Sequence, residues 1–419
     1  MKRQKVAIDY GTSQVRILLS GRASRIVIIQ TESFGFPKTL LGREDRDLAI
    51  GRNRELVAVV RDRIKESIET YDASETWSRL VDLDDVVVTV PTGFSGTAKG
   101  QLMEAFSAEG MTIRYTLSEP LAAFWGFQSK VDGQRWEHFK LPEPPSSKTV
   151  LVVDWGAGTL DCTLLVAHNR HVNEVGMYGS ASDSVLGSMG GIAITKAISD
   201  VLEAKARNTF TKNFKRQERP TQVARNVWQL LAKIWRFILL TLAPHNVDSS
   251  EFDDPRLLSE SELNAQFDNF KIDWNAKAED IKKEFNSGAN AVPVFSNVPE
   301  LKDLKLTLHE LRECYEPFLR EAEENIVKLL NDAEVLKGND LENAQVHAVL
   351  LVGGVAKEKR ILEFARGIGV NTHLQTTVLH PEKIKDLDGR YDISLSAGQL
   401  MTVIGALNVA DMESDGRSH

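Results

Sequence analysis

The stretch Val150-Leu151-Val152-Val153-Asp154-Trp155-Gly156-Ala157-Gly158-Thr159-Leu160-Asp161-Cys162-Thr163-Leu164-Leu165-Val166 decides the fold. An apolar run ends in an aspartate, a Gly-rich turn follows, and a second mostly apolar run leaves it, which reads as strand, tight turn, strand. The same arrangement stands near the start of the chain. Val6 to Asp9 is apolar up to its aspartate, Tyr10-Gly11-Thr12-Ser13 makes the turn, and Val15, Ile17 and Leu19 then alternate with polar partners. Both copies place Asp, one residue, then Gly at a strand end. A second feature also occurs twice. Val86-Val87-Val88-Thr89-Val90-Pro91 is a buried strand feeding a helix, and Ala348-Val349-Leu350-Leu351-Val352-Gly353-Gly354 repeats it in the later half. Two related halves are implied, each a mixed sheet flanked by helices, in an α/β arrangement with a ligand in the crevice.

At 419 residues the chain exceeds the size at which one hydrophobic core stops growing. It is 42% hydrophobic and 26% charged, with no apolar run long enough to span a bilayer, so no membrane partner is expected. Its longest apolar patch, Ile234 to Ala243, is broken by Arg236 and reads as a buried helix. The formal charge of −8 argues against a nucleic-acid partner, which needs clustered Lys and Arg. The two cysteines, Cys162 and Cys314, offer neither a disulfide framework nor a metal pattern, which suits a reducing compartment. A strand pattern beginning by Lys5 leaves no room for a presequence and favours the cytoplasm.

A lobe boundary is expected at Lys130 to Lys148, where Pro142, Pro144 and Pro145 interrupt any helix. Residues 1–148 then form one lobe, with a helix over 394–410 packing back on it. Residues 149–393 form the other, including a polar variable subdomain at about 244–306. A helix is expected from Ala224 to Leu242, a long amphipathic one from Leu308 to Leu336, and a frayed tail over 411–419.

Phosphate charge must be met by donors, and a glycine turn lets successive backbone N–H groups approach without a Cβ in the way. Gly11 with Thr12 and Ser13, and Gly156, Ala157, Gly158 and Thr159, offer this twice. One Asp-x-Gly-Thr alone fits an ordinary Asp-Gly hairpin, whereas two copies after buried strands point to a phosphate chain held between them. Asp9 and Asp154 are the candidates for magnesium, held through its waters. Asp161, two residues past Thr159, is suited to orienting an attacking water. No P-loop pattern occurs, and Gly156-Ala157-Gly158 lacks the third glycine of a dinucleotide fingerprint. Gly353-Gly354 fits either close approach of the backbone to a nucleoside or a plain strand-to-helix turn.

With these motifs in order, the chain resembles the nucleotide-binding domain of the seventy-kilodalton heat-shock chaperones, within the actin-like ATPase superfamily. The motifs that carry the resemblance are Asp9-Tyr10-Gly11-Thr12-Ser13, Asp154-Trp155-Gly156-Ala157-Gly158-Thr159-Leu160-Asp161, Thr89-Val90-Pro91-Thr92-Gly93-Phe94, Glu119-Pro120-Leu121-Ala122-Ala123 and Gly353-Gly354. The resemblance implies an actin-like fold of two ribonuclease-H-like lobes, with mixed sheets and helices around a nucleotide cleft. It implies ATP or ADP as ligand, magnesium and also potassium as ions, and an exchange factor or co-chaperone as partner. It places Glu119 by the metal waters or potassium, Gly190 and Gly191 by the ribose and phosphate, and Gly353 and Gly354 by the adenosine. Pro91 matches a residue that relays nucleotide state between lobes, while the family's relay arginine falls on Lys99.

The departures are as informative. The family usually has glycine at Ala157. Its catalytic lysine is expected in Ile50-Gly51-Arg52-Asn53-Arg54-Glu55, which contains none, and Arg52 or Arg54 is a poor equivalent because guanidinium and ammonium differ in geometry. The adenine clamp falls on Ile234, beside Lys233, and on Lys357. No acidic-leucine linker or peptide-binding β-sandwich follows the last helix, so peptide capture of the family's kind is not expected from this sequence.

Slow ATP hydrolysis is the leading expectation, with a non-hydrolysing nucleotide sensor and a small-molecule kinase as the alternatives. Among the other residues, Trp155 should face the core while Asp154 faces the cleft. Cys162 reads as a small core residue and His347 as a structural one. Glu321, Glu323 and Glu324 read as a solvated helix face.

Overall fold

The computed structural model describes residues 4–19, 26–35, 37–69, 81–92, 94–128, 147–168, 171–179, 189–217, 264–265, 267–268, 272–294, 301, 304–335, 346–368, 377–379 and 397–414. The helix expected over 224–242, most of the boundary loop and Lys233 lie outside these residues.

Alternating and continuous apolar runs build the first sheet from β1 (Gln4–Tyr10), β2 (Gln14–Leu19), β3 (Ile26–Gln30), β4 (Val81–Val90) and β5 (Ile113–Ser118), ordered β3-β2-β1-β4-β5. The first three strands meander antiparallel, and β4 and β5 run parallel to β1. Parallel pairing requires crossovers. Helices α1 (Arg46–Glu69) and α2 (Gly96–Ala108) make them, the latter started by Ser95, whose Oγ accepts from the Ala98 N–H at 3.1 Å. Helix α3 (Glu119–Gln128) follows β5 without a break.

The chain continues through β6 (Lys148–Trp155), β7 (Leu160–His168), β8 (His171–Gly179), α4 (Gly191–Gln217), α5 (Trp274–Asn286), β9 (Ala291–Pro293), β10 (Lys305–Thr307), α6 (Leu308–Asp332), β11 (Ala348–Val352), α7 (Lys359–Gly367), β12 (Thr377–Leu379) and α8 (Ala397–Ser414). The second sheet is ordered β12-β11-β6-β7-β8. Again three strands meander antiparallel, and two later strands lie parallel on the far side of the first of them. The wiring of the two sheets is identical, so the sequence repeat is a repeat of topology.

Period-two alternation divides the side chains of the first sheet between two cores. Val6, Ile8 and Tyr10 pack with Leu56, Val60 and Ile64 of α1 and Leu102 and Phe106 of α2. On the other face, Ala7, Leu18 and Val87 share a core with Phe124 and Trp125 of α3, Met401 and Ile404 of α8, and Val150, Val152, Leu165 and Leu350 of the second sheet. Helices α3 and α8 therefore lie within the core common to both sheets. Each fully buried Leu, Ile or Phe there contributes about 1.5–3 kcal/mol. The two helices cross so closely that a Cβ on Gly405 would stand 1.6 Å from the Ala122 carbonyl oxygen, and one on Gly126 2.0 Å from that of Met401.

The chain divides into two compact units, residues 1–194 with 315–419, which holds both five-stranded sheets, and residues 195–314. Within the second unit, Asp273 caps α5 by accepting from the Ala276 N–H at 3.0 Å, and β9 and β10 pair antiparallel. This is more structure than the polar composition of 244–306 suggested. Its amphipathic stripe, with Ala278, Ile281 and Phe285 buried, is short and hidden among charges. At the C-terminus the helix runs on to Ser414, beyond the expected end at 410, and the long amphipathic helix expected from Leu308 is α6. Among the described residues, no helix is long and apolar enough to cross a membrane.

Candidate functional site

The first unit contains a cleft with about 540 Å³ of empty space, part of it open to solvent. Gly11, Thr12 and Ser13 of the β1–β2 turn line one side, Gly156, Ala157, Gly158 and Thr159 of the β6–β7 turn another, and Gly353 and Gly354 after β11 a third. The two turns touch, since a Cβ on Gly158 would lie 2.7 Å from Thr12 Oγ1. Gly353 has φ +93°, and a Cβ there would meet the Trp155 carbonyl oxygen at 2.4 Å and Asp154 Oδ1 at 2.6 Å. Only glycine tolerates that backbone at that distance.

Both turns are braced from behind. Thr31 donates its N–H to the Ser13 carbonyl at 3.0 Å and its hydroxyl to the carbonyl of Thr12. The Gly191 N–H donates to the Gly156 carbonyl at 3.0 Å, and that of Ile192 to Ala157 at 2.9 Å. Gly190 packs on the back of the second turn, where a Cβ would be 2.3 Å from the Ala157 oxygen. Gly190 and Gly191 thus support the turn and are not among the lining residues. Lys357 is exposed and also outside the lining.

The ends of the central strands put carboxylates on the floor. Asp9 lies opposite Arg16 in the β1–β2 register and beside Thr89 in the β1–β4 register. Its Oδ1 accepts from Thr89 Oγ1 at 3.0 Å and its Oδ2 from Arg16 NH1 at 2.6 Å. Asp154 lies opposite Asp161 across β6 and β7. Asp161 sits beneath Thr159, whose Oγ1 donates to its Oδ2 at 2.8 Å, and its Oδ1 is buried with no hydrogen-bond partner among the described residues. Glu119 opens α3 and lines the cleft with Asp9 and Asp154.

A lysine absent from the expected stretch arrives from elsewhere. Lys38, on the 3-10 turn Pro37–Leu40, lines the cleft and donates to Glu119 Oε1 at 2.6 Å. Ile50 to Glu55, where the lysine was expected, belong to α1. Arg52 is bonded to Glu55 and Arg54 to Glu109, both side chains more than half exposed and neither lining the cleft. Asn53, fully buried between them, donates to the Pro37 carbonyl at 2.9 Å and accepts from Tyr10 OH at 2.7 Å, which ties the Lys38 turn to the end of β1. Arg16, Lys38, Gln14 and Thr402 are the lining residues that sequence reasoning missed. For Arg16 a signal was available, because it faces Asp9 once the hairpin register is drawn.

Burial and mutual repulsion set the electrostatics. Four carboxyls, Asp9, Glu119, Asp154 and Asp161, meet two cations, Arg16 and Lys38. Desolvation, then Glu119, Asp161 and Asp9, hold the Asp154 carboxyl well above its usual range. Desolvation and Glu119 push Asp161 up to about 7, against the Thr159 hydrogen bond. Desolvation raises Glu119 as well, with Lys38 opposing. Trp155 is buried, its Nε1 donating to the Met189 carbonyl at 2.6 Å, and Cys162 is buried beside Asp161 with its thiol pushed up by desolvation. His347 Nδ1 accepts from the Thr149 N–H at 3.0 Å.

No family model matches the chain. Over 170 residues, 40% of this chain, it is 28% identical to heat shock 70 kDa protein 14-B of Xenopus laevis. Over 172 residues, again 40%, it is 28% identical to heat shock 70 kDa protein 14 of Rattus norvegicus. Over 170 residues, 39%, it is 25% identical to a heat shock 70 kDa protein of Neurospora crassa. The chain spans 30% of the length of the first two relatives and 21% of the third. These matches relate part of the chain to heat shock 70 kDa proteins.

Proposed function

We propose that this chain binds ATP or ADP in the cleft between the two glycine turns and hydrolyses ATP slowly. One observation carries the reading: two turns of identical topology, each following an aspartate-tipped central strand, meet at Thr12 and Gly158 and line a single cleft. Similarity to heat shock 70 kDa proteins over 40% of the chain supports the same assignment, and the mixed α/β architecture is compatible with an actin-like ATPase. In this reading the two sheets are the centres of two lobes. Gly11 to Ser13 and Gly156 to Thr159 turn amides and hydroxyls towards the phosphates, and Gly353-Gly354 gives the nucleoside a wall without side chains.

A magnesium ion fits the second turn and not the first. Asp9 has both oxygens engaged, one of them by a guanidinium 2.6 Å away, so a second cation there meets a like charge. Asp154 stands buried among surplus acid, and a hydrated ion beside it would offset the desolvation and repulsion that raise its carboxyl. When bound, such an ion would neutralise charge on the phosphate oxygens.

The chain's own residues do the rest. Lys38 can exchange Glu119 for a phosphate oxygen and so preorganise a charge at the transferring group, a contact worth on the order of 3 kcal/mol, or about a hundredfold in rate. Thr159 holds a hydroxyl in the cleft against Asp161, a carboxyl that changes charge near neutral pH and can accept a proton passed through that hydroxyl. The lysine in the cleft removes one of the two reasons for a non-hydrolysing sensor, the other being the altered adenine clamp at Ile234 and Lys357. Calorimetric titration with ATP and ADP tests binding, and single-turnover phosphate release tests hydrolysis. Saturable binding that is abolished by Gly158→Val is the expected result. Unaltered binding in that variant would place the nucleotide elsewhere.

A further inference from the structure

We propose that Arg16 takes, at the first turn, the place of a divalent cation and binds an oxygen of the nucleotide's phosphate chain, so that part of the affinity needs no metal. The inference rests on the nucleotide reading above and concerns which groups in that cleft supply the positive charge.

The backbone register fixes the guanidinium where it is. Residues directly opposite across antiparallel strands share a face, and Arg16 is the residue opposite Asp9. Its side chain is 11% exposed and lines the cleft, and NH1 would lie 3.8 Å from a Cβ on Gly11, beside the turn whose amides serve the phosphates. The charge is permanent, because a guanidinium is not deprotonated in proteins.

The donor inventory is incomplete without a ligand. NH1 donates to Asp9 and NH2 to Gln14 Oε1 at 3.1 Å, but Nε is buried with no hydrogen-bond partner among the described residues. A guanidinium carries five N–H donors in a rigid fork suited to phosphate oxygens. An unmet buried donor is unfavourable, and an anion entering the cleft is the partner that this charge selects. Meanwhile Asp9, with Thr89 on one oxygen and Arg16 on the other, is already neutralised. With Glu119 paired to Lys38 in the same way, the acid surplus that attracts a free cation is confined to Asp154 and Asp161.

The test is calorimetric titration of wild type and Arg16→Gln with ADP and ATP, each in magnesium and in excess chelator. Wild-type affinity in chelator is expected to stay within about tenfold of that in magnesium, while the variant loses at least about tenfold more than wild type on chelation. A larger wild-type loss overturns the inference, as does a variant with the same chelation penalty as wild type. If neither nucleotide binds wild type under either condition, the nucleotide reading itself fails, and this inference with it. Should Arg16→Gln not fold, Arg16→Lys replaces it, since an ammonium keeps the charge without the fork. Its chelation penalty is expected to exceed that of wild type by at least about threefold, and an unchanged penalty is the contrary result.

Discussion

Arg16 faces Asp9 across β1 and β2, whereas at the corresponding place across β6 and β7 it is Asp161 that faces Asp154. The two hairpins share topology, the Asp-x-Gly strand end and a place in one cleft, yet their charge is opposite in character. In the first, a guanidinium and a threonine hydroxyl satisfy the aspartate. In the second, two acids confront each other, both pushed up by burial and then by Glu119 nearby. A duplicated fold therefore supplies symmetry of shape without symmetry of function. One half brings its own cation, and the other keeps a surplus of acid, which is where the proposed magnesium ion would sit. Lys38 belongs to the first half in the same sense, coming from the segment after β3 to neutralise the glutamate that opens α3.

Both hairpins are held against common helices, and the largest effect is expected there. Gly405→Ala forces a Cβ into the backbone of Ala122 and should destabilise by about 4 kcal/mol, read as loss of the cooperative transition or a steep fall in urea midpoint. Retained stability would mean that α3 and α8 can separate without harm.

Next, Lys38→Met leaves Glu119 buried without its partner and should cost about 3 kcal/mol, with Lys38→Met combined with Glu119→Gln recovering most of it. A double variant no better than the single one would remove the ion pair from the account.

The sharpest contrast pairs the aspartates. In the ligand-free chain, Asp9→Asn strips Arg16 of its counter-charge and should destabilise by about 2 kcal/mol. Asp161→Asn should stabilise at pH 8, raising the midpoint by roughly 5 °C. The sign follows from linkage. A carboxyl whose folded value is raised to about 7 contributes stability that is complete below its unfolded value, near 4, and is lost as pH rises through 7. The gain in Asp161→Asn should therefore vanish at pH 4, and a midpoint difference that ignores pH would contradict the acid-surplus picture. Asp154→Asn should also stabilise the free chain, since desolvation and then Glu119, Asp161 and Asp9 raise its carboxyl, yet weaken nucleotide binding in magnesium by about tenfold.

The smallest effect lies outside the cleft. Burial and Lys148 hold His347 below its ordinary value, so its contribution is present above about 6.5 and lost as pH falls below. His347→Asn, which can still accept from Thr149, should slightly flatten the acid side of the stability profile, and an unchanged profile would show that this histidine is not the group titrating.

The glycine turns were legible because a turn is a local event. Asp, Gly and Thr within five residues after a valine-rich run specify it without any distant partner, and the repetition of that run specified the second sheet. The long amphipathic helix from Leu308 and the buried side of Trp155 followed from periodicity in the same way. The helix of residues 274–286 escaped notice because its apolar stripe is three residues wide in a charged sequence, so composition outweighed period. Lys38 escaped for a different reason. Its neighbours in sequence, Pro37 and Thr39, carry no phosphate signature, and its importance comes from a glutamate 81 positions away.

By itself the sequence determined the two strand-turn-strand units, their aspartates and the alternation that buries one face of each strand, because these depend on residues within a few positions of one another. Tertiary structure alone decided that the turns meet and that, among the described residues, Arg16 and Lys38 line the cleft while Arg52 and Arg54 do not. Which charges become neighbours depends on how sheets and helices stack, and at buried sites neighbouring charge and lost solvent together set what each group can do.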